Sequence, residues 1–267
     1  MTHYIFDNAA EQTPRRFQSL ESLYDPHTLR VLDATGVGPS WQCLEVGAGG
    51  GSIATWLAVR VGPSGHVLVT DIDASHLEAL TTSGHPNVEV RHHDIGVDPL
   101  PNEVFDLIHA RLVLIHVPQR ERALARLFDA LKPGGWIVIE DFDPALIDRG
   151  FAAVDPEGYA AFDTVRIAMR QLMDRHGLDP TWGRSLYRRF VALGLTGVQM
   201  EGRFSIWPGG SPGALMDGAN FEQIRSEAVA AGLVTDAQVE QAIAVLGNPA
   251  FALSSIPMMT ASGRKPS

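Results

Sequence analysis

The chain has 267 residues, enough to bury a full core as one large domain or as one domain with an appended lid. Apolar residues make up 45% and charged residues 19%, ordinary for a soluble globular protein, and the formal net charge of −10 argues against a nucleic-acid backbone as the main partner. The one cysteine, Cys43, excludes an internal disulfide and any multi-thiolate metal centre, and no metal site is expected.

No apolar run approaches the roughly 18 residues needed to span a bilayer. The start M-T-H-Y-I-F-D-N lacks a basic region followed by an apolar core, so no signal peptide is read there. A cytoplasmic protein without a membrane partner is the expectation. A cluster of arginines, Arg184, Arg188 and Arg189, reads as a solvated helix face.

Residues 1–40 begin polar and become helical from about Thr13, with Phe17, Leu20, Leu23 and Tyr24 in helical spacing. Pro26 is expected to separate two short helices there. This N-terminal cap either covers a ligand or simply packs on the core. From Trp41 to Asp143 strands and helices alternate. Strands are predicted at 41–46, 66–70, 88–92, 105–109 and 136–140, and helices at 52–61, 74–82 and 118–131. Such alternation implies parallel pairing with right-handed crossovers, and an α/β fold. Residues 144–267 change character. Helices are predicted at 156–176, 182–193, 212–231 and 235–246, strands at 197–207 and 251–261, and a frayed tail at 262–267. No repeat or linker interrupts the chain, so a single domain over 1–267 with helical insertions is expected.

The chemistry concentrates at the ends of the first three strands. The run C-L-E-V-G-A-G-G-G-S ends a strand in Glu45 and turns through Gly47, Ala48, Gly49, Gly50 and Gly51 into a helix. Glycine lets backbone approach a ligand closely, and the helix start offers unpaired N–H groups. Asp71 ends strand two, where a carboxylate can accept hydrogen bonds from both hydroxyls of a ribose. Asp94 follows strand three in H-H-D-I and can accept from an adenine amino group, with Ile95 offering its N–H to the ring. By themselves these acids fit NAD and S-adenosylmethionine equally. The third glycine of a dinucleotide fingerprint would fall on Ser52, which counts against NAD.

The motifs together resemble class I S-adenosylmethionine-dependent methyltransferases, and more narrowly bacterial small-molecule enzymes of secondary metabolism. L-E-V-G-A-G-G-G is similar to their glycine motif and V-L-V-T-D-I-D to the strand-two acid motif. R-H-H-D-I, F-D-L-I-H-A-R-L-V-L-I-H-V and A-L-K-P-G-G-W-I-V-I-E-D match the motifs that follow, over about 41–143. The resemblance implies a Rossmann-like, seven-stranded, mostly parallel sheet with an antiparallel last strand inserted beside strand five, helices on both faces, and helical lid insertions. It implies S-adenosylmethionine as cofactor. Gly47, Ala48 and Gly49 would lie along its methionine and ribose, Glu45 near its amino group, Asp71 on the ribose, and Ile72 against adenine. Asp94 and Ile95 would hold the adenine edge, and Ala110 and Arg111 would flank the methionine portion.

Methyl transfer from a sulfonium needs alignment and exclusion of water, and for some acceptors a base. His116, Asp141 and Arg111 stand at the right edge as catalytic candidates, while His109, inside strand four, reads as structural. Repulsion from Glu140 would raise the pKa of Asp141. The aromatic and soft residues Phe151, Tyr159, Phe162, Met169, Trp182 and Trp207 suit a flat apolar acceptor, so a small aromatic or natural-product metabolite is expected. The N-terminal helices are of a kind that pairs subunits, which makes a homodimer an expectation too. Two other readings stay open: a binding protein for the cofactor without transfer (a scaffold, regulator, or cyclase or rearrangement catalyst), and an NAD-dependent oxidoreductase.

Overall fold

The computed structural model describes residues 13–73, 77, 80, 84–146 and 156–267, the first three of these by backbone alone. The chain divides into two compact units. One comprises residues 24–143, 180–202 and 258–267; the other comprises 1–23, 144–179 and 203–257. The first is therefore wider than the 41–143 stretch that carries the motifs.

Seven strands form the sheet of that first unit. They are β1 (Gln42–Val46), β2 (His66–Asp71), β3 (Val88–His92), β4 (Phe105–Arg111), β5 (Leu131–Phe142), β6 (Thr196–Arg203) and β9 (Met258–Arg264); β7 (Ile206–Pro208) and β8 (Ala252–Ser254) belong to the other unit. The order is β3-β2-β1-β4-β5-β9-β6. Strands β1 to β5 pair in parallel, and β9 runs antiparallel to β5. The fold is the expected mostly parallel, Rossmann-like sheet with an antiparallel strand beside strand five. Because the chain goes outward from β1 to β3 and then crosses to β4, the strand order reverses beside β1. A crevice opens there at the carboxyl ends, where such sheets bind ligands.

Burial explains the strands. In β1 and β2 every residue after the first is buried, as central parallel strands require, whereas β3 at the edge is half exposed. Helix α2 (Ser52–Val61) turns Ile53, Leu57 and Val61 inward onto Cys43, Val67 and Leu107. The Cys43 thiol lies in this core, and burial pushes its pKa above the usual thiol range.

Three local expectations are corrected. Helix α1 (Thr13–Ala34) runs unbroken through Pro26. Proline deletes one N–H donor, but its ring already has a helical φ, so a long helix continues with one bond missing. The predicted sixth and seventh strands are each split. Non-strand residues at 204–205 and 255–257 divide them, so that β6 and β9 join the large sheet while β7 and β8 form a separate two-stranded sheet. Pro257, without an N–H, sits in the second break. The tail is not frayed from 262, since Ser262, Gly263 and Arg264 pair with Val138, Ile137 and Trp136. The helix predicted at 74–82 lies almost wholly outside the described residues.

Helix α3 (Arg120–Ala130) precedes β5, and α5 (Trp182–Ala192) packs on β5 and β9. The second unit holds α4 (Pro156–Arg175), α6 (Pro212–Ala230) and α7 (Asp236–Leu246). Ser211 caps α6 ahead of Pro212, and Thr235 with Gln238 forms a capping box on α7. Phe162 meets Phe221 and Phe251 at ring-centroid distances of 5.6 and 5.8 Å in this unit's core.

Gly183 brings α5 against β5. A Cβ there would lie 2.7 Å from the Phe142 carbonyl oxygen and 2.9 Å from that of Asp141, both backbone. Gly183→Ala should lower the free energy of unfolding by about 1–3 kcal/mol through overpacking. Urea denaturation should show a lower midpoint with an unchanged slope; an unchanged midpoint would mean that the helix shifts freely.

Candidate active site

The candidate site lies at the carboxyl ends of β1 to β4. Gly47 follows β1 with φ +66°, and its N–H donates to the Thr70 carbonyl at 2.7 Å. Gly49 and Gly51 also have positive φ, and Gly51 N–H donates to Ala48 O at 2.9 Å, closing the turn. A Cβ on Gly47 would run into the Val113 side chain, and one on Gly51 into Leu80. Those two glycines make room for protein, not for a ligand. Ala48 and Gly49, half exposed between them, present backbone to the crevice.

Asp71 ends β2. Its Oδ1 accepts from the Asp73 N–H at 3.0 Å, which fixes the carboxylate at the rim. Ile72 next to it is 57% exposed, an apolar side chain set against solvent beside a buried acid. Asp94 follows β3; its Oδ1 takes the Gly96 N–H and its own N–H donates to Asp98 Oδ2, both at 2.8 Å. Ile95 is buried, and its carbonyl accepts from Arg126. Asp71 ends and Asp94 follows strands that lie on one side of β1, in the order β3-β2-β1.

Past β4 the backbone is strained. Leu112 has φ +58°, uncommon for a branched residue, and its N–H donates to the Glu140 carbonyl at 2.7 Å. The strain turns Val113 against Gly47 and leads into a 3-10 turn over Leu114–His116. His116 is half-buried there. Ala110 is buried within β4, between Val46 and Ile139.

Other candidates point elsewhere. The Arg111 guanidinium donates to Thr28 Oγ1 at 2.9 Å and pairs with Asp25 at 2.8 Å. Asp141 is fully buried, and its Oδ2 accepts the Trp182 indole N–H at 2.9 Å. Its pKa is pushed up to about 8 by burial; the Trp182 bond, the Ile115 and Val113 backbone and Arg120 pull the other way. Glu140 is not the cause, because neighbours on a strand face opposite sides of the sheet. Trp182, expected near an acceptor, is instead core, with the Arg189 guanidinium 4.4 Å above its ring. Phe162, Met169 and Trp207 are buried in the other unit, Tyr159 is half-buried there, and Phe151 lies outside the described residues.

The expectation that His109 is merely structural missed the main polar feature. His109 Nδ1 lies 2.7 Å from Glu45 Oε2, and Nε2 lies 3.3 Å from Glu140 Oε2; all three side chains are buried. Glu45 and His109 are register partners on β1 and β4. Glu140 is two residues beyond Val138, the β5 partner of His109, and so on the same face. Glu140 also accepts from Thr28 Oγ1, and from Thr260 Oγ1 at 2.7 Å. Burial alone would lower the His109 pKa, but Glu45 and Glu140 outweigh it and raise it to about 9. Burial alone would raise that of Glu140, but His109, Arg111 and Thr28 bring it down to about 2. A signal was present: Glu45, His109 and Glu140 are three polar residues inside otherwise apolar strands.

Among the described residues, no group of three or more His, Cys, Asp or Glu is placed to hold a metal ion, and no helix is long and apolar enough to cross a membrane. Residues 44–139 match the methyltransferase domain family. The match takes in the glycine turn, Asp71, Asp94 and the post-β4 loop. Over these residues the chain is similar to a methyltransferase domain. The chain is 34% identical over 158 residues to methyltransferase str2 of Strobilurus tenacellus, covering 58% of this chain and 53% of that protein. It is 31% identical over 123 residues to the ubiquinone/menaquinone biosynthesis C-methyltransferase UbiE of Vibrio vulnificus, covering 44% and 47%. The chain thus spans about half the length of these relatives. A putative methyltransferase from Bacillus halodurans C-125 shares the fold, with TM-score 0.60 at 16% identity, over 91% of this chain and 100% of that one.

The buried charges of the seven-stranded unit make its stability depend on pH. His109 binds a proton more tightly folded than unfolded, so its contribution is full below the ordinary value of 6.5 and is lost as pH rises through about 9. Asp141 leans the same way at lower pH, between 3.8 and about 8. Glu140 contributes above 4.5 and loses it only as pH falls through about 2. The unfolding free energy should therefore fall between pH 8 and 9, and His109→Gln should flatten that part of the curve. Urea titrations of both proteins across this range give the answer; parallel slopes would show that His109 keeps no extra proton.

Proposed function

We propose that the protein transfers a methyl group from S-adenosylmethionine to a small-molecule acceptor, an aromatic or natural-product metabolite carrying a phenol, hydroxyl or acidic carbon. One observation supports this most: Glu45, Asp71 and Asp94 stand at the ends of three adjacent strands around one glycine turn. The name of one relative agrees with a small acceptor: UbiE is named for C-methylation in ubiquinone/menaquinone biosynthesis. We read 1–267 as one methyltransferase and assign the choice of acceptor to the helical unit.

The residues fit an adenosyl sulfonium. Asp71, braced by Asp73, accepts from the two ribose hydroxyls. Exposed Ile72 covers one face of the adenine, which accounts for an apolar side chain left in water. Asp94 has one oxygen occupied by Gly96 and turns the other toward the adenine amino group, with the Ile95 N–H toward the ring. Ala48 and Gly49 lie along the methionine portion with Gly47 shaping the turn, Ala110 and the Arg111 backbone flank it, and Glu45 faces the ammonium.

The bound cofactor supplies an already activated methyl group. What the chain adds is alignment of the acceptor and, for an acidic acceptor, removal of a proton. His116, half-buried at the rim, is the base in this reading. Asp141 is held against Trp182 and keeps α5 on the sheet. The tied guanidinium of Arg111 serves as an anchor.

S-adenosylhomocysteine should raise the melting temperature while NAD does not. Asp71→Ala should weaken cofactor binding by about 1–3 kcal/mol by calorimetry, the cost of lost charge-assisted hydrogen bonds. With a labelled methyl donor and a panel of phenolic and quinol acceptors, His116→Gln should reduce kcat by roughly 10²–10⁴-fold with KM for the donor unchanged. Binding without transfer to any acceptor would favour a scaffold or rearrangement role.

A further inference from the structure

The relay around His109 reaches further than one ion pair. Glu140 has both carboxylate oxygens occupied, Oε2 by Thr28 and His109 and Oε1 by Thr260. Thr28 in turn accepts from Arg111, whose other nitrogen pairs with Asp25. Thr260 faces His27 Nε2 at 3.1 Å, and His27 Nδ1 faces Arg30 Nη2 at 3.1 Å. An arginine can only donate, so His27 accepts on Nδ1, carries its proton on Nε2, and donates to Thr260, which donates to Glu140. Glu140 is thus held from α1, β4 and β9 at once. Among the described residues, His109 links this anchored carboxylate to Glu45, ahead of the glycine turn.

Geometry also fixes the charge on His109. Each ring nitrogen faces a carboxylate oxygen, at 2.7 and 3.3 Å. A carboxylate only accepts, so a neutral imidazole would set a lone pair against one of them. The imidazolium satisfies both. We propose that His109 is a positioning residue for cofactor binding: as a buried imidazolium anchored by Glu140, it holds the Glu45 side chain oriented toward the ammonium of the cofactor. The inference rests on the adenosyl-sulfonium reading of the site. It assigns part of the binding chemistry to residues that never touch the ligand, Thr28 and Thr260 among them. The groups facing His109 directly are Glu45 from β1 and Glu140 from β5; behind Glu140 stand Thr28, His27 and Asp25 from α1, Thr260 from β9, and Arg111 from its own strand.

The test uses the full chain, S-adenosylhomocysteine as probe and three proteins. In the ligand-free wild type at pH 8, a ¹⁵N-imidazole spectrum should show a histidine protonated on both nitrogens, and His109→Gln should remove that signal. By calorimetry the wild-type Kd should stay flat from pH 6 to 8. His109→Gln should weaken it about tenfold, with KM for the methyl donor rising more than kcat falls. Glu140→Gln removes one of the two charges on the imidazolium, so in this variant the Kd should rise with pH between 7 and 9. A far-ultraviolet melt of each variant secures that it is folded. A neutral His109 in the wild type, or equal Kd values for wild type and His109→Gln, overturns the proposal. A wild type that shows the imidazolium yet binds no S-adenosylhomocysteine overturns the cofactor reading itself, and the assigned role with it.

Discussion

Charge buried inside a β-sheet has to be paired, and that constraint shapes the carboxyl end of this sheet. An isolated carboxylate moved from water into a protein interior costs several kcal/mol. Glu45 and Glu140 are both buried, on strands separated only by β4. The strand between them supplies the compensating cation, His109, at the register position where its ring reaches both. The arrangement gains nothing over an apolar core in stability alone, since well-packed hydrophobic residues often do as well. What it provides is a Glu45 side chain held in one direction near the end of β1.

The same end of the sheet shows how a strained loop and a glycine turn depend on each other. Leu112 adopts a left-handed backbone, and that places Val113 in the space a Gly47 side chain would need. The two loops are therefore locked together before any ligand arrives. Preorganisation of this kind is what a transfer reaction with an already activated group requires, because its barrier falls mainly through alignment. The strain at Leu112 is offset by its N–H donating to the Glu140 carbonyl, which ties the loop to the strand that anchors His109.

How much of this could be read in the sequence varied with how local the determinants are. The acids at the ends of β1, β2 and β3 and the glycine turn follow from short-range spacing, and those three strands are neighbours in the sheet. Pro26 misled because a proline rule derived for helix interiors ignores what packing on both sides can sustain. The split of the last strands was hidden because a run such as Phe251–Ala261 has the right composition throughout, while the pairing partner changes in the middle. The cause assigned to Asp141 failed on a simpler point: adjacency in a strand means opposite faces, so Glu140 and Asp141 never see each other. His109 was set aside as structural because its two partners are distant in sequence and only the register brings them together.

That last case changes what the glycine-rich turn is for. A cluster of glycines suggests a backbone cradle for an anion. Here two of the glycines yield their space to Val113 and Leu80, and the half-exposed remainder is flanked by fixed carboxylates. A helix N-terminus attracts negative charge, so an anionic ligand would gain from α2 but meet Glu45 and Asp71 on entry. A cationic ligand reverses that balance when the Glu45 side chain is held in place, and His109 Nδ1 holds it at 2.7 Å. The sign of the ligand the turn accepts is therefore decided less by the glycines than by the histidine behind them.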